Sequence, residues 1–581
     1  MAVIGAIALA VNAYQDAKRE YRRERERQRQ REYLLTRADL PSLYQAMPLT
    51  GRQIRILELQ SGKWDDSLDC QLEIGNVDYS IYEALSYTWR APPDTRCLTV
   101  NGITIDIREN LYWALMYLRP PVGERPRRLW VDAICINQGE DNPEKDEQLP
   151  LMGDIYREAT RVLAWLGKPD QKSEDALRHF DMINDGALNK NSLLQDYHRN
   201  KERWLDFGES LLTRDWFTRA WTVQEFVCAR ELRFVCGHDS APEELFGMIG
   251  LLSYSPGLEL QRIRARTRMN DVGIIEDMSS LFPCNEVWKT GEAMQTFVHW
   301  IAQFLHRECG DHKDHIYAYL ALDKKSASVI KPDRKSSWQA LYQMTTRHII
   351  EQHKALDFIC IAQGDDRDAK LPSWVPDLRS ESRLGPVLPR MNLSKPVYNA
   401  SGGRDPDIAF DGDGNLSASG RMFRKIVQVT QRHSDDEKSI QDSRRLATES
   451  LTARRNRMYP SHHGHTYQQA FARTIVMDMN VVRERCGENE GFREWKDWWG
   501  VLPSFEPGLS SSERTEAFKH QRFHQERKWR MGRRFAMLEE GYMGLVPHNA
   551  RCGDMIVVLE GASIPMVIRE DSGSYNLVGG W

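Results

Sequence analysis

Polar and aromatic side chains that could bind a ligand lie where two short apolar segments of this sequence end. They are Ser86, Tyr87, Trp89, Asp132, Asn137 and Gln138. A carboxylate, Glu225, lies on a helical segment after a third apolar run. Because ligands bind beyond the carboxyl ends of the strands in an open parallel sheet, we expect these groups to share one cleft. Carboxylates there could bind the paired hydroxyls of a ribose or similar polyol and stabilise the positive charge of a breaking glycosidic bond.

The same residues also have a purely structural interpretation. The polar residues after each strand could cap loops and hydrogen-bond backbone groups. Glu225 could pair with Arg219 or Arg230 on the surface of its own helix, which would contribute only about 0.2–0.5 kcal/mol. The sequence leaves both interpretations open, and the position of Glu225 relative to Asp132 distinguishes them.

A buried strand followed by a helix must position the second group of polar residues. The mostly apolar run 129–136 predicts the strand and contains one carboxylate, Asp132. Pro143 and the acidic residues after it favour a helix start. The helix is predicted to continue past Pro150, because apolar residues up to Ala159 recur on one helical face.

The next apolar run, RVLAWLG, predicts a further strand. Strand, polar loop, helix and strand form a βαβ unit, which favours a parallel sheet. We therefore expect the strands that end at Tyr87, Ile136 and Leu166 to lie side by side. Trp130 and Trp165 lie within these strands and should be buried.

Local signals predict further elements. Asn101-Gly102 between two apolar runs is typical of a type I′ hairpin. Asn110 is a suitable N-cap for the helix that follows it. The stretch 411–415, rich in aspartate and glycine, predicts a hairpin turn, because Leu416 stands where a calcium loop needs glycine. Helices are also predicted around 216–227 and at 314–322, 338–350, 436–455 and 466–484, and a strand is predicted at 232–236.

Length and composition exclude several classes of protein. The 581 residues suffice for about two to four domains. A net charge of −4 gives no basic field for nucleic acid, so we expect no nucleic-acid partner. Ten cysteines without a CxxC pair favour a reducing compartment over a disulfide scaffold or zinc ribbon. The sequence has no P-loop, no GxSxG and no HExxH, so we predict no metal site and assign no certain cofactor.

The N-terminus carries an apolar stretch before a stretch rich in arginine and glutamate, the reverse of a signal peptide. No apolar run reaches the roughly 18 to 20 residues that a membrane-spanning helix needs. We interpret the charged stretch as a solvated helix, with membrane contact or partner docking as the less favoured alternative. A cytoplasmic protein is expected.

The predicted organisation has five parts. In order, they are an N-terminal charged helix and linker (1–45), an α/β domain (46–240), a helical region (241–400), a loop and helical region (401–540) and a β-rich C-terminal segment (541–581).

Taken together, the motifs resemble the heterokaryon incompatibility (HET) domain of filamentous fungi. The resemblance covers about 80–230 and includes YEALSYTW, LWVDAICINQ, VLAWLG and the segment 214–225. Arg90 departs from the pattern, since the family has glycine there. Besides the residues named first, the motif positions are Cys135, Glu144, Gln148, Met152, Tyr156, Trp165, Gly167, Arg214, Trp216, Arg219, Trp221 and Gln224.

This resemblance implies an effector of non-self recognition, in which fusion of unlike cells triggers growth arrest and programmed cell death. It implies a protein partner from an incompatibility system and allows self-association. The domain is also similar to Toll/interleukin-1-receptor (TIR) domains, and the implied fold class is a TIR-like parallel-sheet α/β domain. In that comparison Glu225 lies where enzymatic members carry the glutamate that cleaves NAD, so NAD glycohydrolase activity, with NAD as substrate, is an alternative function. A non-enzymatic interaction scaffold is the other alternative.

Overall fold

The computed structural model describes residues 40–89, 95–139, 142–184, 196, 199–200, 203, 210–243, 296–362, 367–379, 398–430, 458–460, 465, 467, 470, 473–474 and 533–581. These residues belong to two compact units. The first contains the described residues up to 243 together with 307–334, and the second contains 296–306 and the described residues from 335 onwards. The N-terminal charged helix, Arg90, the predicted helix at 436–455 and most of that at 466–484 lie outside the described residues.

The first unit is built on a nine-stranded mixed sheet. Its strands are β1 (Gln53–Leu59), β2 (Asp69–Asn76), β3 (Glu83–Ser86), β4 (Thr95–Val100), β5 (Ile103–Arg108), β6 (Arg127–Trp130), β7 (Val162–Gly167), β8 (Leu232–Cys236) and β9 (Asp239–Pro242). Their order is β5-β4-β2-β1-β6-β3-β7-β8-β9. The central strands β6, β3, β7 and β8 are parallel, whereas β1 and β9 flank them antiparallel. The predicted parallel neighbours are therefore confirmed.

The described helices belong to both units. In chain order, they are α1 (Leu40–Ala46), α2 (Glu109–Leu118), α3 (Asp132–Cys135), α4 (Glu144–Gln148), α5 (Met152–Glu158), α6 (Gln171–Asn184), α7 (Trp221–Cys228), α8 (Phe297–Phe304), α9 (Asp314–Leu320), α10 (Lys324–Val329) and α11 (Trp338–His353). Helices α8 and α11 belong to the second unit and the others to the first. A 3₁₀ turn, Leu149–Leu151, joins α4 to α5, so the helix does continue past Pro150. None of the helices in the described ranges has the length and apolar content that crossing a bilayer requires.

Two predictions about local structure in the first unit are confirmed. The hairpin between β4 and β5 turns at Asn101 and Gly102, whose φ angles are 51° and 80°, as a type I′ turn requires. Trp130 and Trp165 are buried in β6 and β7.

The strand predicted at 129–136 is wrong over its second half. β6 ends at Trp130, and Asp132–Cys135 forms the single helical turn α3. A carboxylate oxygen of Asp132 accepts a hydrogen bond from the backbone nitrogen of Ala133 at 2.7 Å. Such local bonding competes with the hydrogen bonds of a strand, and it places Asp132 at the sheet edge rather than inside the sheet.

The predicted N-cap role of Asn110 is also wrong. Asn110 lies inside α2, whose N-cap is Arg108. Its side-chain nitrogen donates to the carbonyl oxygen of Thr88 at 2.9 Å, and its side-chain oxygen accepts from Trp165 Nε1 at 3.0 Å. A buried indole N–H needs a partner, so this tertiary contact determines where Asn110 points.

The second unit carries a six-stranded antiparallel sheet and a separate hairpin. The hairpin strands are β10 (Ile408–Phe410) and β11 (Leu416–Ala418); the sheet strands are β12 (Gly420–Val429), β13 (Arg533–Leu538), β14 (Met543–Pro547), β15 (Met555–Leu559), β16 (Met566–Asp571) and β17 (Ser574–Gly580). The sheet order is β14-β13-β12-β15-β16-β17. The predicted turn at 411–415 is confirmed as the turn between β10 and β11.

The sequence assigned 401–540 to loops and helices, and the long strand β12 corrects that assignment. Only Ile426 of β12 is fully buried, and the other positions are half-buried or exposed. Its charged residues, Arg421, Arg424 and Lys425, interrupt the apolar run that predicts a buried strand. The short strand β9 likewise lies in a stretch expected to be helical.

Candidate functional site

Glu225 lies on α7 with its carboxylate directed into the first unit, and the residue is 7% exposed. The hydroxyl of Ser86, the last residue of β3, donates a hydrogen bond to this carboxylate. Trp216 Nε1 donates to Ser86 Oγ at 2.6 Å, and Tyr156 of α5 also hydrogen-bonds Glu225. Glu225 is therefore held by side chains from β3 and α5.

The interpretation that Glu225 pairs with Arg230 on the helix surface is wrong. Arg230 is exposed and pairs with Glu158 instead. The two carboxylates differ because Glu225 points inward from α7, whereas Glu158 lies at the end of α5.

Asp132 lies beside Glu225, on the turn that follows β6. It accepts a hydrogen bond from Trp89 Nε1 at 2.9 Å and another from Tyr87. The charge of Asp132 acts directly on Glu225. The structure thus brings together five of the predicted site residues, namely Ser86, Tyr87, Trp89, Asp132 and Glu225.

Asn137 and Gln138 make local contacts instead. The side-chain oxygen of Asn137 accepts from the backbone nitrogen of Gly139 at 3.1 Å. Gln138 Nε2 donates to the carbonyl oxygen of Asp132 at 2.8 Å. Both side chains stabilise the loop after α3, and Gln138 thereby fixes the backbone that carries Asp132.

Arg219 supplies the positive charge of the site. Its guanidinium favours the ionised forms of Asp132, Glu225 and Asp314. Asp314 is the first residue of α9, so it comes from a stretch that the sequence assigned to a separate helical region. We refer to these three acids and Arg219 as the acid cluster.

The acid cluster contains carboxyl groups with raised pKa values. Burial raises the pKa of Glu225 to about 7; the Ser86 hydrogen bond opposes this shift and the charge of Asp132 adds to it. Burial raises the pKa of Asp314 to about 6, and it also raises the pKa of Asp132. A carboxyl group with a pKa near 7 can exchange a proton at neutral pH, which general acid–base chemistry requires.

Residues 307–334 hold the segment before α7 in place. The backbone nitrogen of Glu308 donates to the carbonyl oxygen of Thr218 at 2.7 Å. Arg307, which is 2% exposed, donates to the carbonyl oxygen of Arg219 at 3.1 Å and to Thr222 Oγ1 at 3.0 Å. The acid cluster is therefore completed and positioned by a stretch distant in sequence.

Helices α5 and α9 also clamp α7 through Gln224. In the orientation that satisfies its amide, Gln224 donates to the carbonyl oxygen of Ala318 at 3.2 Å and accepts from the backbone nitrogen of Gly153 at 3.1 Å. A Cβ atom at Gly153 would lie 2.4 Å from the Cβ of Ala321. Only glycine permits this close approach of α5 to the end of α9.

Several motif residues support the sheet edge through a buried arginine. Both terminal nitrogens of Arg55 donate to Glu144, at 2.7 and 2.9 Å, and the Arg55 side chain is fully buried. Arg55 also donates to the carbonyl oxygen of Cys135 at 3.0 Å, while Gln148 Nε2 donates to the carbonyl oxygen of Gln53 at 3.2 Å. These motif residues hold the backbone at the sheet edge in place. They do not supply reacting groups.

The remaining motif residues form loops and core around the site. Gly167 has a φ of 113°, and a Cβ atom there would lie 3.4 Å from the guanidinium of Arg214. Arg214 donates to the carbonyl oxygen of Lys168 at 3.1 Å, and Trp221 hydrogen-bonds Asp314. The buried motif residues are Cys135, Gln148, Met152, Tyr156, Trp165, Trp216 and Gln224.

Sequence reasoning missed Arg55, Arg307 and Asp314. The only signal for Arg55 and Asp314 is a charged residue within or beside an apolar run, which indicates a buried partner. No signal in the sequence pairs Asp314 with Arg219.

Two family models match parts of this chain. Residues 82–225 match the model described as heterokaryon incompatibility protein (HET), and residues 510–580 match the Het-6 beta-barrel domain. Heterokaryon incompatibility protein 6, OR allele, of Neurospora crassa is 23% identical over an alignment of 632 residues, which covers 89% of this chain and 90% of that protein. No solved structure matches this chain. The first match contains all seven of the candidate ligand-binding and catalytic positions, whereas Asp314 lies outside it.

Proposed function

We propose that this chain, a heterokaryon incompatibility (HET) domain protein, triggers programmed cell death during non-self recognition in fungi. The match of 82–225 to the HET family model carries this proposal. The relative from Neurospora crassa supports it, since its alignment extends over most of both chains.

We assign the effector site to the carboxyl edge of β3 and β6. Ser86, Tyr87, Trp89 and Asp132 would contact a ligand with neighbouring hydroxyl groups, and Glu225 would be the reacting carboxyl. Trp89 and Asp132 are half-exposed, so a ligand can approach from solvent. The raised pKa of Glu225, about 7, supports a role in proton exchange.

NAD glycohydrolase activity, with a TIR-like arrangement of the sheet, is the less favoured candidate. A helix bearing Glu225 immediately before β8 of the parallel core is the observation in its favour. Against it, the names of the matching families and of the relative refer to incompatibility. The burial of Glu225, which is 7% exposed, does not distinguish the two candidates, because in either case a ligand reaches it only after neighbouring side chains move.

The chain as a whole would act as follows. We propose that the functional HET unit consists of the predicted domain 46–240 together with 307–334, because the latter residues complete the acid cluster. The controlling partner would be another protein of the same incompatibility system, with self-association as a further mode of control. The cysteine content is in keeping with a cytoplasmic location.

Expression of the full chain in a fungal host tests the effector role. We expect growth arrest with the wild type and its loss with Glu225→Gln or Ser86→Ala. Glu231→Gln is the matched control, because Glu231 is an exposed glutamate close to the end of α7. The full chain is required, since residues 307–334 belong to the same unit as the acid cluster.

Three outcomes of this experiment distinguish the effector role, the site assignment and the glycohydrolase candidate from one another. A highly expressed wild type without a growth defect contradicts the effector role. Growth arrest that survives Glu225→Gln contradicts the site assignment. Growth arrest by a wild type that leaves NAD intact, in cells and in purified form, eliminates the glycohydrolase candidate and leaves the effector role in place.

A further inference from the structure

The first unit carries an aromatic surface that the acid cluster does not use. We call it the aromatic face, and it consists of Trp64, Tyr112, Trp113, Tyr117 and His238 with Arg96 and Lys168 at its margin. Trp64 lies between β1 and β2, α2 supplies the other tryptophan and both tyrosines, and His238 lies in the turn between β8 and β9. Several elements of the unit therefore meet at this face.

Trp64 is the most prominent ring of the aromatic face, and it is 44% exposed. Its ring stacks on that of Trp113 with centroids 6.4 Å apart and an interplanar angle of 28°. The edge of Tyr117 lies 5.0 Å from Trp64, and the ring of His238 lies 5.5 Å from it, measured between centroids. The rings support one another while one face of the group stays open to solvent.

The loop that presents Trp64 is fixed by a single guanidinium. Arg119 donates to the carbonyl oxygens of Asp66, Ser67 and Trp64 at 2.8, 3.3 and 2.9 Å, and also to that of Lys63. The backbone nitrogen of Lys63 donates to Asp66 Oδ2 at 2.8 Å. Because the loop is already ordered, Trp64 would lose little conformational entropy on binding a partner.

Two exposed cations border the rings. Lys168 Nζ lies 4.5 Å from the centroid of Trp113, and Arg96 Cζ lies 6.0 Å from the centroids of Tyr112 and Trp113. Glu109 is the neighbouring carboxylate: it accepts from Trp113 Nε1 at 2.9 Å and lies 3.6 Å from Arg96. Glu174, whose charge also acts on Tyr117, is paired with Arg178 at 3.3 Å. With two cations against Glu109, the side of the face next to Trp113 favours anionic groups.

We propose that the aromatic face is a docking surface for a segment of a partner protein that combines carboxylates with an aromatic side chain. Tryptophan, tyrosine and arginine are the residue types that dominate binding energy at protein interfaces. The ring of the partner would stack on Trp64, and its carboxylates would pair with Lys168 and Arg96. This role goes beyond the effector site and does not depend on any reaction at Glu225.

A peptide selection tests the proposal with the full chain. A library of random dodecapeptides is selected on the wild type and depleted on Trp64→Ala, and binding of the enriched peptides is then measured by fluorescence anisotropy. We expect an acidic, aromatic consensus. Its affinity should fall about tenfold in Trp64→Ala and also fall in Lys168→Glu.

Tyr79→Ala is the matched control, since Tyr79 is 80% exposed on the same unit but takes no part in the aromatic face. It should leave the affinity unchanged, and thermal unfolding of all three variants should show that they are folded. A basic or purely apolar consensus, or no peptide that depends on Trp64, overturns the proposal. Tighter binding of oligothymidine would assign the face to nucleic acid, and a dimer lost in Trp64→Ala would assign it to a second copy of the chain; either result also overturns the proposal.

Discussion

The two units treat buried charge in opposite ways. In the first, Arg219 is shared among the three carboxylates of the acid cluster. In the second, two buried aspartates each have their own arginine: Arg379 donates to Asp377 at 2.7 and 2.9 Å, and Arg569 donates to Asp554 at 2.8 Å through two nitrogens. In one unit three acids share one cation, and the other unit carries matched pairs.

This difference indicates which buried acids are structural. Burial by itself would raise the pKa of Asp377, but hydrogen bonds from Arg379 and from the backbone nitrogen of Asp368 outweigh burial and lower it. Burial raises the pKa of Asp357, yet the hydroxyl and the backbone nitrogen of Ser563 both donate to it. At neutral pH an acid with a lowered pKa, such as Asp377, stabilises the fold, whereas acids with a raised pKa, such as Asp357 and those of the acid cluster, cost stability. Such a cost is typical of functional sites.

The largest expected effect comes from the packed platform beneath the acid cluster. Trp130 is fully buried, and its ring packs edge-on against Tyr156 at 5.5 Å between centroids. Trp130→Ala should lower the free energy of unfolding by about 3–5 kcal/mol, through lost burial and a cavity. Chemical denaturation measures this change, and Trp64→Ala is the exposed control. Wild-type-like unfolding of Trp130→Ala would mean that the cluster does not rest on a rigid core.

The matched pairs of the second unit give the next largest effect. Arg569→Ala leaves Asp554, whose side chain is 3% exposed, without its ion partner. The loss should be about 3 kcal/mol, because an uncompensated buried charge remains. The double variant Arg569→Met with Asp554→Asn should recover part of it in a double-mutant cycle. If Arg569→Ala lowers the free energy of unfolding by less than about 1 kcal/mol, the pair contributes no more than an ordinary surface ion pair. The contrast between the two units would then be wrong.

The sequence predicted the parallel core, because apolar runs are a local signal. It also predicted that Asp132 and Glu225 lie close together, because the ends of predicted strands are a local signal too. It could not predict that Asp314 joins them, since nothing in a sequence reports which distant helix packs on α7. It misplaced Asn110, because a tertiary contact with Trp165 outcompetes a local cap. It missed β12, where exposed charged residues remove the apolar pattern on which strand prediction depends.

The pH dependence of stability should differ between the wild type and Glu225→Gln, which tests the contrast between the two units. The pKa of Glu225 is about 7 when folded and 4.5 as an ordinary glutamate. A raised folded pKa gives stability that is complete below pH 4.5 and is lost as the pH rises through 7. Glutamine imitates the protonated form, so Glu225→Gln should gain on the order of 1–3 kcal/mol over the wild type between acidic and mildly alkaline pH. Denaturation at a series of pH values measures this gain.

Asp377→Asn is the control with the opposite sign. Because the folded pKa of Asp377 is lowered, its stabilising contribution is present above the ordinary value of 3.8 and is lost as the pH falls through the folded value. Asp377→Asn should therefore be less stable than the wild type at neutral pH, with the difference shrinking in acid. Equal pH profiles for the two variants would contradict the distinction between unmatched and matched acids.

The smallest expected effect concerns Asn137, which the sequence placed in the ligand site. Its side-chain oxygen accepts from the backbone nitrogen of Gly139 at 3.1 Å, within its own loop. Asn137→Ala removes one half-exposed hydrogen bond, so the free energy of unfolding should fall by about 0.5 kcal/mol. Growth arrest in a fungal host should be retained in Asn137→Ala and lost in Ser86→Ala, because Ser86 donates to Glu225 whereas the side chain of Asn137 bonds within its own loop. If a stably folded Asn137→Ala variant loses growth arrest, Asn137 belongs to the ligand site. The ligand would then also contact residues outside the surroundings of the acid cluster.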